Sequence, residues 1–469
     1  MRRVPISLAA GVFVISLANA SRLLIIPPPW TAALALSVIG LWTVWDARRA
    51  EGRGLLDAPA HGPLFLVCLS VYLATMRWHG GDDIPNSILP WAILRHGTFS
   101  LEPFRHRFET ETLADFVVPG SRPLLSMFSV VPAVLALPVY LLPVLFGPPP
   151  NDFGLHNLSK ISGALLTAAS AVLVYEACRR RADGRWAAAL ALFYGLGTWS
   201  LSVSSQALHS HGPAQLGAAL GMLGLLGTRP RDAALAGFGF ALSFSSREDG
   251  VFFLAAAGLF TLLHRPRLVL PFIAGAAAPL AFVLSVWLRY TGRPLPPYLG
   301  VQSGMFTGVQ WPAVWAMLAS PTRGLAFFSP AALFGLWALA RRPRAPEGPW
   351  PPYLLAACAA LVLFISCRTS WSGGQTFGTR YFAVVCVVAT VALADWRPPA
   401  AAWAAAFAVS VAVHAVGAFL PYPGSFAIER QQAELWHWGL HPLAGPAGAA
   451  ALLAAVPLGV RQYRFLRRP

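Results

Sequence analysis

Long apolar runs constrain this chain more than any other feature. Leu158–Cys178, Ala187–Ser204 and Leu268–Leu288 each approach the ~20 residues that carry an α-helix across a bilayer core. Backbone in lipid must satisfy its own N–H and C=O groups, so runs rich in Leu and Ala read as helices rather than barrel strands. The expected class is all-α, a polytopic integral membrane protein with about 13–15 transmembrane helices and outer-face loops carrying interfacial helices. Only 12% of the residues are charged, about half the share usual in a soluble domain. The net charge of +16 does not indicate a nucleic-acid partner, because the arginines cluster at the ends of apolar runs, where they encode orientation. Five cysteines, Cys68, Cys178, Cys358, Cys367 and Cys386, lie in or beside those runs without a CxxC pair, and read as small buried hydrophobes.

Expected spans fall near 5–26, 31–47, 63–77, 158–178, 186–204, 206–227, 233–246, 250–264, 268–289, 322–340, 351–367, 382–395, 400–420 and 445–461. The first, with Ala18-Asn19-Ala20 at its end, also reads as a signal peptide; a second span so close behind favours a retained helix. The chain divides into N-terminal transmembrane helices (1–77), a first large extracytoplasmic loop (78–123) and a transmembrane core (124–469). With Arg2 and Arg3 in the cytoplasm, the clusters Arg48–Arg53, Arg179–Arg185, Arg229–Arg231, Arg265–Arg267, Arg341–Arg344, Arg397 and Arg461–Arg468 all fall inside. One condition attaches: Leu124–Phe146 must make no net crossing. Pro132, Pro138 and Pro143 suggest that this stretch is a broken hairpin or re-entrant segment. The expected location is the inner (cytoplasmic) membrane, with the site facing the periplasm or exterior.

On that topology acids, histidines, arginines and aromatics gather in the outer loops, whereas the inner loops hold mainly orienting arginines. Trp78–Asn86 carries His79 and the adjacent carboxylates Asp82 and Asp83. Close like charges raise one carboxyl toward the working range of a general base; the plainer reading is a cap on a helix starting near Ile84. Ile84, Ile88, Trp91 and Ile93 suggest that this helix is amphipathic and interfacial. Ser370–Tyr381 holds Trp371, Gln375, Arg380, Tyr381 and three glycines, residues suited to turning N–H groups toward an anion, or to an ordinary turn with an interfacial Trp. Ser204–Pro213 contributes Gln206, His209 and His211; without a locally spaced acid, hydrogen bonding suits them better than a metal. Arg247-Glu248-Asp249 is either a self-neutralising turn or a phosphate contact. Glu429–Trp438 reads as an aromatic anchor.

The order of Gly81-Asp82-Asp83, Ser121-Arg122-Pro123-Leu124, Ser204–Pro213 and Trp371–Tyr381 resembles the GT-C superfamily of membrane glycosyltransferases. The similarity is to bacterial relatives of protein O-mannosyltransferases and lipid A aminoarabinose transferases. About three spans rather than one precede the acidic loop, and a common His-Pro-Pro is reduced to Arg122-Pro123. The resemblance implies a polyprenyl-phosphate sugar donor, an envelope acceptor (lipid, glycan or protein) and inversion at the anomeric carbon. It places Asp82 and Asp83 as catalytic, Arg380, Arg247 and Arg122 on the donor phosphate, and His79, Gln206, His209, His211, Trp371, Gln375 and Tyr381 around substrate. Membrane lipids are the other expected partners. No motif requires a cofactor, no residue is assigned to a metal, and a divalent cation is compatible with the acids. The alternative, a transporter or flippase of a lipid-linked saccharide, calls for ionisable groups near mid-membrane; His414 and Glu176 are the few candidates.

Overall fold

The structure, a computed structural model, describes residues 61–75, 83–109, 116–147, 151–301, 303–341, 348–374, 376–419, 437, 439 and 441–467. The first two expected spans, His79, Asp82, Gln375 and most of Glu429–Trp438 lie outside these residues. Among the described residues regular structure is helical, and β-pairing is limited to the isolated bridges Val117–Ser126 and Phe306–Arg368.

The helices of nine or more residues are α1 His61–Ala74, α2 Ile84–His96, α3 Val131–Phe146, α4 Asp152–Arg179, α5 Gly184–Leu196, α6 His211–Leu225, α7 Pro230–Ser246 and α8 Val251–His264. They continue with α9 Val269–Thr291, α10 Trp311–Ala319, α11 Pro330–Arg341, α12 Trp350–Ser366, α13 Ala383–Ala392, α14 Ala400–Phe419 and α15 Pro446–Leu466. Local chemistry sets several boundaries. Asn151 caps α4 by accepting from the Gly154 N–H at 2.8 Å, and Asp183 caps α5 through the N–H groups of Arg185 and Trp186. Such caps satisfy donors that the first helical turn leaves unpaired. Pro230 and Pro446 stand at first positions, where no N–H is needed. Gly217 and Gly221 on α6 face Gly239 on α7; a Cβ on Gly239 would meet the Gly221 nitrogen at 2.2 Å. Small residues four apart thus let two helix backbones nearly touch, as membrane helices commonly do.

Among the described residues, three helical segments are long and apolar enough to cross a membrane: Asp152–Arg179, Pro266–Thr291 and Ala400–Phe419. Leu270, Ile273, Leu284 and Leu288 on the second are exposed, the surface expected of a helix facing lipid.

The bundle has two chemically distinct ends. At one, Arg181 Nε donates to Asp395 at 2.8 Å, Arg397 pairs with Asp183, and His61 meets Glu176. Arg180 lies 3.7 Å from Asp232. At the other, Lys160 on α4 reaches Thr75 and Ser205, while Asn86 on α2 donates to the Leu208 carbonyl. So α1 starts at the arginine-rich end, beside Glu176, and finishes at the loop end, beside Lys160. Near its own start α4 pairs Asp152 with Arg107, and it returns to Glu176. Between them, Ser129 is tied to Ser245 and Arg107 to Asp152.

Two expectations change here. Leu124–Phe146 is not a broken hairpin: Val131–Phe146 is one helix, with Pro132 in its first turn and Pro138 and Pro143 inside. Its entry is fixed by Ser129 donating to the Ser245 carbonyl, and α4 begins with Asp152 beside Arg107. Nor is α2 a one-faced interfacial helix. Pro85 through Ala92 are all buried, and consecutive residues cover every side of a helix. It is packed inside protein, against α3, in a core that includes Leu89, Ala133 and Tyr140.

Candidate active site

The loop end gathers a cationic cleft from three distant segments. Arg247 leaves α7 with extended backbone, and its Nε bonds Asp249 Oδ2 at 2.7 Å. Its guanidinium lies 5.1 Å from the Tyr381 ring centroid. Arg368, only 3% exposed, follows α12 and stacks 5.1 Å from the Tyr298 centroid and 6.0 Å from that of Tyr381. Its Nη2 also donates to the Tyr298 hydroxyl. Cation–π contact holds a guanidinium where a carboxylate would cancel its charge. The segment before α10 is stitched to Arg368 by Thr307 N–H to Cys367 O and Thr369 N–H to Met305 O, both 2.8 Å. Glu248, Phe306 and Phe364 complete the walls of the resulting cleft.

Electrostatics keep this cleft charged. Burial works against the Arg247 cation, but Asp249, Tyr381 and Tyr298 more than offset it and raise its pKa. Arg368 is raised likewise, burial being outweighed chiefly by Tyr381 and Tyr298. Burial pushes the Glu248 carboxyl up, against the pull of Arg247.

A second cluster surrounds the acidic motif. Asp83 is completely buried immediately before α2 and forms no side-chain cap, so the capping reading of this residue does not hold. One turn on, Asn86 Nδ2 bonds the Leu208 carbonyl at 3.1 Å, and the Leu208 N–H bonds Ser159 Oγ at 2.8 Å. The phenol of Tyr140, on α3, lies within electrostatic reach of Asp83. The two clusters join through the Ser204–Pro213 segment. His211, buried at the start of α6, sets its ring edge-on to Tyr381 at 6.4 Å. Phe128, beyond the acidic loop, reaches Tyr298 at 5.9 Å.

Of the expected site residues, Arg247, His211 and Tyr381 therefore come together, while Asp83 lies one turn before Asn86, which bonds Leu208 in the segment leading to His211. Arg380 is half-buried in the turn Arg380–Phe382 and does not line the cleft. Arg122 is exposed and acts on Glu102. Gln206 is engaged inside the protein: its Oε1 accepts from Lys160, and its Nε2 donates to Thr75 and to the Leu201 carbonyl. His209 lies in the same turn, its N–H bonded to the Ala207 carbonyl. Trp371 packs into the main core.

Sequence reasoning placed Arg368 and Tyr298, 70 positions apart, among the polar residues of the outer loops but gave them no role in the site. It also missed Arg323. That buried side chain donates to the carbonyls of Ser372 (2.5 Å) and Gly374 (3.2 Å), while the Trp199 indole donates to Phe377 O. Gly373, Gly374 and Gly378 adopt the positive φ angles that such turned carbonyls require. Lys160, the one lysine of the chain, is buried on Thr75, Ser205 and Gln206. Its signal was an isolated cation inside an apolar run.

No protein-family model and no curated protein matches the chain. Among solved structures it is similar to the oligosaccharyltransferase of Archaeoglobus fulgidus tethered with an acceptor peptide containing the NVT sequon. The identity is 13% and the TM-score 0.43, over 86% of this chain and 56% of that one. It is similar also to AglB from the same organism in complex with an inhibitory peptide and a dolichol-phosphate, at 12% identity and TM-score 0.39, over 84% and 56%. The chain spans little more than half the length of these structures.

Proposed function

We propose that this protein is a GT-C-type glycosyltransferase that moves a sugar from a polyprenyl-phosphate carrier to an envelope acceptor, with its loop end outside the cytoplasmic membrane. The observation that carries the reading is the pair of Arg247, largely buried, and Arg368, fully buried, stacked on Tyr381 and Tyr298 at the same end of the bundle as Asp83. The opposite end, rich in arginine, suits the cytoplasm.

In the proposed step an acceptor hydroxyl is presented to the Asp82–Asp83 pair, which takes its proton. The acceptor oxygen bonds the anomeric carbon as the bond from that carbon to the phosphate oxygen breaks. The electron pair leaves with the lipid phosphate, whose charge Arg368 and Arg247 stabilise in a site largely closed to water. In-line attack inverts the anomeric configuration. The Tyr298 hydroxyl, already bonded to Arg368, keeps that guanidinium aimed at the leaving group.

The test is transfer from a synthetic polyprenyl-phosphate sugar by purified protein. Arg368→Gln should lower turnover by roughly 10²–10³-fold, the usual effect of removing one donor to developing negative charge. Full transfer retained by both Asp82→Asn and Asp83→Asn sinks the assignment of the base.

A further inference from the structure

Between Arg293 and Arg323 the sequence contains no charged residue and no histidine. Such a stretch suits a protein core or lipid better than a loop in water. It joins α9 to α11 and carries α10. Met305, Phe306 and Val309 ahead of α10 are exposed, as are Trp311 and Trp315 on it, the two tryptophans by 63% and 61%. Trp311 and Trp315 stand one turn apart and share a face, whereas Ala313, Val314, Ala316 and Met317 are buried. A helix facing water keeps polar residues on its outer side; α10 has tryptophan and Pro312 there. The patch also continues a second apolar surface. Along α12 the exposed residues are Pro352, Ala356, Ala359 and Leu363, a helical spacing that makes one stripe. Where that stripe ends, the Phe306 ring meets Phe364 at 5.5 Å. The Gln310 N–H donates to Ser366 O at 3.2 Å, and its Nε2 to the Arg368 carbonyl at 2.9 Å.

We propose that α10 and the segment before it are seated in the interfacial layer of the bilayer, with Trp311 and Trp315 among phospholipid headgroups and upper acyl chains. Tryptophan suits that layer because its ring is apolar and its N–H polar. The role is the one that Ile84, Ile88, Trp91 and Ile93 suggested for α2, which the structure buries in protein. Lipid fits the patch better than a protein partner does, because the patch runs on from the apolar stripe of α12, and a partner covering both would itself lie in the membrane. The seated segment also forms the cleft wall at Phe306 and grips the backbone of Arg368. Seating therefore holds the cleft at the height of the headgroups.

The experiment uses the full chain in vesicles of phosphatidylcholine and phosphatidylglycerol, with the photoreactive residue benzoylphenylalanine replacing Trp311 or Trp315. Ile273 on α9 and Arg122, both exposed, are replaced in the same way as lipid-facing and loop references. Illumination should give phospholipid adducts at Trp311 and Trp315, read by mass spectrometry of the intact protein, at least about tenfold above those at Arg122. Adducts no higher than at Arg122, or crosslinks to a second copy of the chain in their place, overturn the proposal. A second measurement uses only a conservative change. In the same vesicles with bromine on the upper acyl chains, the emission of wild type is compared with that of Trp311→Phe/Trp315→Phe. The difference between the two, which belongs to these tryptophans, should fall by at least about half relative to unbrominated vesicles. A difference that bromine leaves unquenched overturns the proposal as well. Neither readout involves a sugar donor, so failure of the glycosyltransferase reading would leave both unaffected.

Discussion

Gly163 on α4 passes the turn before α6 so closely that a methyl group has no room. A Cβ there would lie 2.2 Å from the Ala207 carbonyl oxygen, 2.7 Å from its carbon and 3.1 Å from the Ser204 carbonyl oxygen. Ordinary van der Waals contact begins at 3.4 Å, so Gly163→Ala must open this crossing by about 1.2 Å. The obstacle is backbone, which no rotamer change moves aside. Overpacking of this kind costs about 1–3 kcal/mol. Displacing the turn also strains the bond from Lys160 to the Ser205 carbonyl, 2.8 Å long and worth about 1 kcal/mol. Better helix propensity of alanine returns up to about 1 kcal/mol. The net expectation is a destabilisation of about 1–3 kcal/mol. Gly258→Ala is the matched control: it too is helical, but its nearest neighbour is the tip of the Phe272 ring at 3.6 Å. The assay is the monodisperse fraction surviving a heat series in detergent, read by size-exclusion chromatography. Gly163→Ala should fail at a clearly lower temperature than wild type, and Gly258→Ala should match or exceed wild type. Equal survival of the two variants would refute the crossing.

Glu102 accepts two bonds from Arg105 and one from the Leu124 N–H, and these hold its carboxyl down at about 2 against an ordinary 4.5. A depressed folded value stabilises above the unfolded one and is lost as pH falls through the folded one. Hydrogen exchange at Leu124 should therefore accelerate as pH drops from 4.5 toward 2, beyond the intrinsic trend, and Glu102→Gln should abolish that excess. At the arginine-rich end, Asp395→Asn leaves the nearly buried Arg181 without its carboxylate. It should cost about 2–3 kcal/mol in the same heat series, and the double change with Arg181→Leu should recover part of that loss.

Most of the architecture was legible because lipid forces hydrophobicity and helix to coincide. The expected spans at 158–178, 233–246, 268–289 and 400–420 fall on α4, α7, α9 and α14. Shorter events escaped. The stretch expected as one span at 322–340 is split at Ser329, whose hydroxyl donates to the Gly197 carbonyl, into Leu325–Phe328 and α11. The helix α10 has only nine residues and follows a polar loop. Proline misled at 124–146, because Pro132 sits in a first turn and the other two are accommodated inside the helix. The cleft was half legible: Arg247, His211 and Tyr381 stood in recognisable segments. Arg368 and Tyr298 acquire their meaning only when α12 and the Pro297–Val301 turn meet, a long-range pairing that no local pattern encodes.

Burial of Lys160 has a practical consequence for mapping which end faces outward. The five cysteines include Cys367, which is partly accessible, so thiol reagents have a background to overcome. Primary-amine reagents have almost none among the side chains, since the single lysine is enclosed beneath the Ser205–Gln206 turn. One lysine introduced at Arg229 or at Ser370 then becomes a lone acylation handle. Membrane-impermeant esters applied to intact cells should modify the second and spare the first if the loop end is exterior.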